Sequence, residues 1–418
     1  MRHDNVNTNP LNAFIKEARR TAVCFLEAVN RFQASATIVH HNDADGIAAA
    51  AALAYTFRKL HMDCRLLPIE KVHAPVVEAI HAMVKGSILY ADLGGQSCQL
   101  IDRHTTESHH VIILDHHLPG AAVSDRIRHL NPEHDGISGD TDASGAAVCA
   151  FFAGEVLKEA SPGPQEPEAL PALMGVIGAV GDGQMTSGTL TGLNRMLLET
   201  ALERDEVVLR PEGYAIPRYT NKSIDEIVDI LNLLGSVGFY DGHAETGIGF
   251  LLGSESEEAL RIAEKLGSLK VSHFKEEAET IDRSGLSSSS HLQWVDVKSR
   301  FVPMGVKAIG LFLEFLLERE QVAPDKYLIG FQHMSAEMPG IGFIGGRLTK
   351  ISARVPRSLR DQILGGRYPD LMTLIPAATD CVGGTADGCH RFAAASLIEQ
   401  GREGAFLQAL EDGVSQTQ

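Results

Sequence analysis

The sequence has no CxxC pair, no apolar run approaching the roughly 20 residues that span a bilayer, and no excess of positive charge. Its six cysteines (Cys24, Cys64, Cys98, Cys149, Cys381 and Cys389) show no framework spacing. That argues against a disulfide scaffold and suits reduced thiols in a cytoplasmic protein. The longest apolar candidate, Ile47 to Phe57, is mostly alanine and reads as a buried helix rather than a span. The opening MRHDNVNTNP is polar and lacks the apolar core of a signal peptide, so no membrane association is expected. Lys and Arg number 37 against 54 Asp and Glu, a net charge of −17. Such a balance argues against a protein that coats nucleic acid non-specifically, but carboxylates that bind metal also enter that sum.

The chain of 418 residues has room for two or three domains. Residues 11–33 carry apolar side chains at amphipathic-helix spacing. Strand-like runs then alternate with helical ones: Thr37–His40, a helix over Gly46–Leu60, Cys64–Ile69, a helix near Pro75–Val84, Ser87–Ala91, a helix around Gln99–His104, and Val111–Leu114. This alternation predicts a doubly wound parallel sheet with helices on both faces, an α/β domain. A helix over 143–158 follows, then a loop with Pro162, Pro164 and Pro167, then a helix over Ala172–Val180. Residues 188–283 read as largely helical, with a capping box at Ser254 and Glu257. The serine-rich 283–291 reads as a flexible joint. Strand patterns return at Leu292–Val297, Tyr327–Phe331, Gly342–Gly346 and Leu348–Ala353. The expected division is a catalytic domain over 1–185, a helical connector over 186–290 and a smaller α/β domain over 291–418.

Four motifs follow in order: His41-Asn42-Asp43-Ala44-Asp45-Gly46, Asp92, Asp115-His116-His117, and Asp182 between two glycines. A lone Asp after a strand is usually a helix cap, and Asp182 alone could be turn chemistry. The first three, however, each follow directly on a predicted strand. In an open parallel sheet the ends of neighbouring strands meet at one rim, where ligands bind. Carboxylates gathered in a dry crevice are costly without cations. Carboxylates with imidazoles and no thiolate suit Mn²⁺ or Mg²⁺ better than zinc.

This series resembles the motifs of the DHH phosphoesterases, and the HxDxDG form resembles their archaeal RecJ-like branch. The resemblance covers most of 35–185 and resumes over 340–400. It implies one metal held by His41, Asp43 and Asp92, and a second by Asp45, Asp92, His116 and Asp182, with Asp92 bridging. Asp115 would orient a histidine, and His117 would contact the scissile phosphate or protonate the leaving group. The C-terminal part would be a DHH-associated domain that grips substrate.

A basic stretch there holds Arg347, Lys350, Arg354, Arg357, Arg360 and Arg367, opposed by Asp361 alone. Ile351-Ser-Ala-Arg354 resembles the family's Ser-x-Arg strand, and Gly383-Gly384 with His390-Arg391-Phe-Ala-Ala resembles its glycine-rich loop. Arg354, Gly383, Gly384 and His390 are therefore the expected phosphate contacts. Here the sequence departs from the family, because Thr385–Cys389 separate the glycines from His390 and Ser396 replaces a usual glycine. The implied activity is a two-metal exonuclease, with Mn²⁺ or Mg²⁺, that releases nucleoside monophosphates from single-stranded DNA, RNA or short oligonucleotides, as in DNA repair. Two alternatives stay open: a dinucleotide or cyclic-dinucleotide phosphodiesterase, and a non-catalytic replisome-associated relative. Association with replication proteins such as GINS is an expectation by analogy.

Overall fold

The computed structural model describes residues 9–32, 35–161, 169–254 and 256–416. The three prolines of the expected loop at 162–167 lie outside these. In chain order the elements are α1 (Pro10–Phe32), β1 (Ala36–His41), α2 (Ala44–Lys59), β2 (Cys64–Ile69), α3 (Ala74–Met83), β3 (Gly86–Ala91), α4 (Cys98–His104), β4 (His109–Leu114), β5 (Ile127–Leu130), α5 (Gly145–Ala160), α6 (Ala169–Gly181) and α7 (Gly192–Glu203). There follow β6 (Val208–Arg210), β7 (Gly213–Ile216), β8 (Lys222–Ser223), α8 (Ile224–Asn232), α9 (His243–Leu251), α10 (Ser256–Ser284), β9 (Ser287–Ser288), β10 (Leu292–Lys298), α11 (Lys307–Leu317), β11 (Tyr327–His333), β12 (Glu337–Met338), β13 (Gly342–Phe343), β14 (Leu348–Arg354), α12 (Arg357–Leu364), α13 (Leu371–Cys381), β15 (Thr385–Asp387), β16 (Ala393–Glu399) and α14 (Glu403–Ser415).

The N-terminal sheet is parallel throughout, in the order β2-β1-β3-β4-β5. β1 and β3 are neighbours although β2 lies between them in sequence, so the winding direction reverses there. A ligand crevice opens at such a switch point, beyond the carboxyl ends of the strands. β1 and β3 are buried along their whole length, as two-sided strands require. α1, α2, α5 and α6 pack on one another as one layer. α3 and α4 pack together, and His81 of α3 hydrogen-bonds the Tyr90 hydroxyl of β3 at 3.0 Å. Ala48–Ala52 of α2 are fully buried, and side chains this small let neighbouring helices approach closely.

Two compact units emerge rather than three. One comprises 1–235, 242–263 and 339–342; the other comprises 236–241, 264–338 and 343–418. The division falls inside α10, not at the serine-rich 283–291. There Ser287–Ser288 instead form β9, paired with Gln293 and Trp294. The expected helical connector is also interrupted by the antiparallel β6-β7-β8 sheet. The expected capping box at Ser254 gives way to a hydroxyl that donates to Gly249 O at 3.0 Å. A complete capping box is found instead at Ser223 and Glu226.

The second unit is built on a six-stranded mixed sheet, β15-β16-β14-β11-β10-β9, with only β10 and β11 parallel. α12, α13 and α14 cover one face through Leu359, Ile375, Phe406 and Leu410, while α11 packs on β11 and β14. Gly342–Gly346, expected as a strand, supplies only the two-residue β13, paired with β12.

Candidate metal centre

The HxDxDG motif runs from a strand end into a helix start. His41 is the last residue of β1, Asp43 is the N-cap of α2 and accepts from Gly46 N at 3.0 Å, and Asp45 lies in the first helical turn. An N-cap takes the β-region and then turns the chain, which aims Asp43 and Asp45 from one corner. The preceding backbone is held by α8 and the π-turn after it: Asn42 Nδ2 donates to Gly235 O at 3.1 Å, and Asn232 Oδ1 accepts from Ala44 N at 3.1 Å. Asp92 follows β3 in the left-handed region, at φ 61°. This is an uncommon conformation that aspartate tolerates better than most residues.

These groups converge. His41 Nδ1 lies 3.0 Å from Asp43 Oδ2 and 3.4 Å from Asp92 Oδ2. His116 Nε2 lies 3.4 Å from Asp92 Oδ1, 3.8 Å from Asp182 Oδ2 and 3.9 Å from Asp45 Oδ2. Two groups with the proximity that holds a metal ion therefore form, His41-Asp43-Asp92 and Asp45-His116-Asp182, and Asp92 reaches both through different oxygens. His116 Nε2 is buried and, among the described residues, has only the carboxylate oxygens above near it, while its Nδ1 meets Gly139 O at 2.6 Å. An imidazole fixed at one nitrogen, with the other aimed at three carboxylate oxygens, fits a metal ligand steered from behind.

The electrostatics agree. Burial, then the charges of Asp182 and Asp43, push the Asp45 carboxyl up to about 6, against the pull of His116 and the Ala146 amide. Burial and Asp45 hold Asp92 well above the usual carboxylate range. For His116, burial favours the neutral ring, but Asp92, Asp182 and Asp45 outweigh it and raise its pKa well above the ordinary value. So much like charge in a dry site calls for cations.

Asp115 is engaged differently. It belongs to a third proximate group with Asp92, His116 and His117, yet its own oxygens are already taken. Oδ2 accepts from Gly95 N at 2.6 Å; Oδ1 accepts from His116 N at 2.8 Å and meets His117 Nδ1 at 2.8 Å. Burial works against ionisation, but His117, His116 and the Gly95 amide hold this carboxyl well below its usual range. It is an anion that positions two histidines. Burial favours the neutral His117 ring, but the Asp115 carboxylate outweighs it and raises the pKa. The His117 side chain is 41% exposed, so it can still reach a ligand.

Several residues of the site carried no signal in the motifs. The amides of Gly145 and Ala146, at the start of α5, donate to Asp45 at 2.8 and 2.9 Å. A Cβ on Gly145 would lie 2.3 Å from Asp92 Oδ1, and one on Gly178 of α6 would lie 2.1 Å from Asp45 Oδ1. Gln184 Nε2 donates to Asp182 Oδ2 at 2.7 Å and is itself held by Asn194 at 2.6 Å. Only the ASGAA start of the helix and the glycine-spaced α6 hint at this in sequence.

The C-terminal candidates belong to the other unit. Arg354 ends β14 with its fork already occupied: Nε and Nη2 donate to Glu314 Oε1 of α11 at 3.2 and 2.9 Å. Gly383 follows α13 at φ 70°, and Gly384 passes so close to β16 that a Cβ would lie 2.4 Å from Leu397 O. The residues that lengthen the loop, Thr385–Asp387, form the edge strand β15. His390 is exposed, its amide bonded to Ala393 O at 2.8 Å.

With this geometry in hand, residues 35–176 match the family described as "DHH family, N-terminal domain". The fold is similar to that of an exonuclease RecJ bound to manganese (TM-score 0.62, 16% identity, over 95% of this chain and 94% of that one). It is also similar to RecJ from Thermus thermophilus in complex with Mn²⁺ (TM-score 0.64, 15% identity, 96% of this chain and 55% of that one). A third similar structure is CDC45 from Entamoeba histolytica (TM-score 0.51, 10% identity, 96% of this chain and 99% of that one). No curated protein matches the sequence.

Proposed function

From a DHH-family domain at residues 35–176, in a chain with the RecJ fold, we propose a metal-dependent phosphodiesterase that releases nucleoside monophosphates from single-stranded nucleic acid or short oligonucleotides. The supporting observation is that Asp92 offers one oxygen to each of two ligand groups. In this reading His41, Asp43 and Asp92 hold one ion, and Asp45, Asp92, His116 and Asp182 hold the other. Mn²⁺ suits the mixed carboxylate and imidazole donors, with Mg²⁺ as the second choice. Bound there, the ions would polarise the phosphoryl group and lower the pKa of a coordinated water. The protein's own residues then have separable tasks. The α5 amides and Gly178 keep Asp45 in place, and Gly139 O fixes the His116 ring. His117, whose pKa the Asp115 carboxylate raises, is placed to give a proton to the leaving oxygen or a hydrogen bond to the phosphate.

Gly383, Gly384 and His390 are the proposed phosphate contacts of the C-terminal unit. Arg354 joins them only by exchanging its bond to Glu314, so it ranks below His390. The test is product analysis on end-labelled single-stranded DNA, RNA and dinucleotides, with Mn²⁺ and with chelator. Mononucleotide release that needs metal is expected, and no product from any of the three substrates would overturn the reading. The likeness to CDC45 is consistent with a second reading, a non-catalytic relative associated with replication proteins such as GINS. The same assay separates the two.

A further inference from the structure

A second polar cleft, of 540 Å³, opens in the same unit between the first half of α1 and the chain that leaves β5. Its size suits one small ligand. Lys16 and Arg20, one helical turn apart on α1, give it a cationic wall, so a phosphate could be held at two points. The opposite wall carries His129 and His134, whose rings meet edge to face with centroids 4.9 Å apart. Glu17, which accepts from Arg20 Nη1 at 3.2 Å, and Asp135 also line the cleft. Their carboxylates make it a poor site for a bare anion, but they accept from N–H donors. A nucleotide presents both kinds of group, phosphate oxygens that only accept and a base edge that donates.

The cleft is wired to the first site. Asn131, which also lines it, donates to His117 O at 2.9 Å and lies 3.3 Å from His129 Nε2. His129 Nε2 stands 3.2 Å from where a Cβ on Gly95 would project, and the Gly95 amide is a donor to Asp115. Gly95 therefore stands between the carboxylate that positions His117 and a histidine of this cleft.

We infer that the cleft between α1 and the β5 end is a second site, which binds a nucleoside monophosphate through Lys16, Arg20 and the two histidines. The ligand class is the product of the reaction proposed above, but the cleft geometry stands without that reaction. The experiment is calorimetric titration of the full chain with AMP, GMP, CMP and UMP, and separately with inorganic phosphate. It is performed in chelator, so that the metal centre cannot contribute. One nucleotide should bind per chain. A Lys16→Ala/Arg20→Ala variant, which removes both phosphate contacts, should bind at least about tenfold more weakly. His134→Ala should weaken binding by a smaller factor. Three results would each overturn the assignment: no binding of any nucleotide, binding indifferent to the α1 double variant, or phosphate bound as tightly as the nucleotides. Because the titration needs no turnover, its failure leaves the hydrolase reading standing, and an inactive chain could still pass it.

Discussion

At the scale of single residues, the centre rests on carboxylates that are expensive to bring together and on glycines that make the approach sterically feasible. Gly178 is the sharpest case, since a Cβ there would overlap Asp45 Oδ1 and press on Ala146. Gly178→Ala should displace Asp45, weaken the binding of Mn²⁺ and cost about 1–3 kcal/mol of stability. Urea unfolding and a metal titration of the same sample check both. Protons compete with the metal for the same oxygens. With the Asp45 carboxyl raised to about 6, metal binding must displace its proton below that pH. Affinity for Mn²⁺ should therefore rise with pH up to about 6, by up to about tenfold per pH unit for one displaced proton, then flatten as far as Asp45 is concerned. A titration series from pH 5 to 8 that shows no slope below 6 would separate Asp45 from the binding set. Of these features the residues that converge, proposed here as ligands, were legible in sequence, because each sits at a strand or helix end beside a family motif. The glycine contacts were not, because Gly178 and Asp45 are 133 positions apart and meet only once three helices pack.

At the scale of elements, the first four strands and their helices read cleanly from alternating texture. β5 did not, since Ile127-Arg-His-Leu130 offers only two apolar residues in four, too short a pattern for the Asn131-Pro132 turn after it to mark as a strand end. The β6-β7-β8 sheet escaped for a similar reason, with strands of two to four residues in an otherwise helical region. Arg354 shows a different limit. Sequence places it in a basic stretch and in a strand that resembles the family's Ser-x-Arg strand, whereas the fold sets α11 beside β14 and brings up Glu314 from 40 positions away. Nothing local announces that partner. Arg354→Ala should cost less than about 1 kcal/mol, because the Glu314 side chain is 55% exposed and solvent screens the pair. Steady-state kinetics should show a smaller rise in KM for Arg354→Ala than for His390→Ala. The opposite order would restore Arg354 as the principal clamp.

At the scale of the whole molecule, the N-terminal unit buries several imidazoles, among them His40, His73 and His81. Burial lowers His40, His73 and His81 to about 4 from 6.5. The unfolded chain thus binds protons that the folded chain refuses between pH 6.5 and 4. Stability from these groups is fully present above 6.5 and is lost as pH falls toward 4, by on the order of 3 kcal/mol for one histidine over the full shift. His81→Gln should flatten the dependence of the urea midpoint on pH between 7.5 and 5 relative to wild type, and an unchanged slope would remove His81 from that set. No helix among the described residues is long and apolar enough to cross a membrane. The net charge of −17 means that a long nucleic acid would meet mostly repulsion over the surface, which favours a short or threaded substrate for the proposed activity. The proposed activity therefore rests on the candidate centre, whose two ligand groups both include an oxygen of Asp92. The most direct measurement is the turnover of Asp92→Asn on a short single-stranded oligonucleotide with Mn²⁺ saturating. A shared bridging carboxylate predicts a loss of at least about a thousandfold, since both ion sites fail together. Turnover within a few-fold of wild type would contradict the two-metal centre.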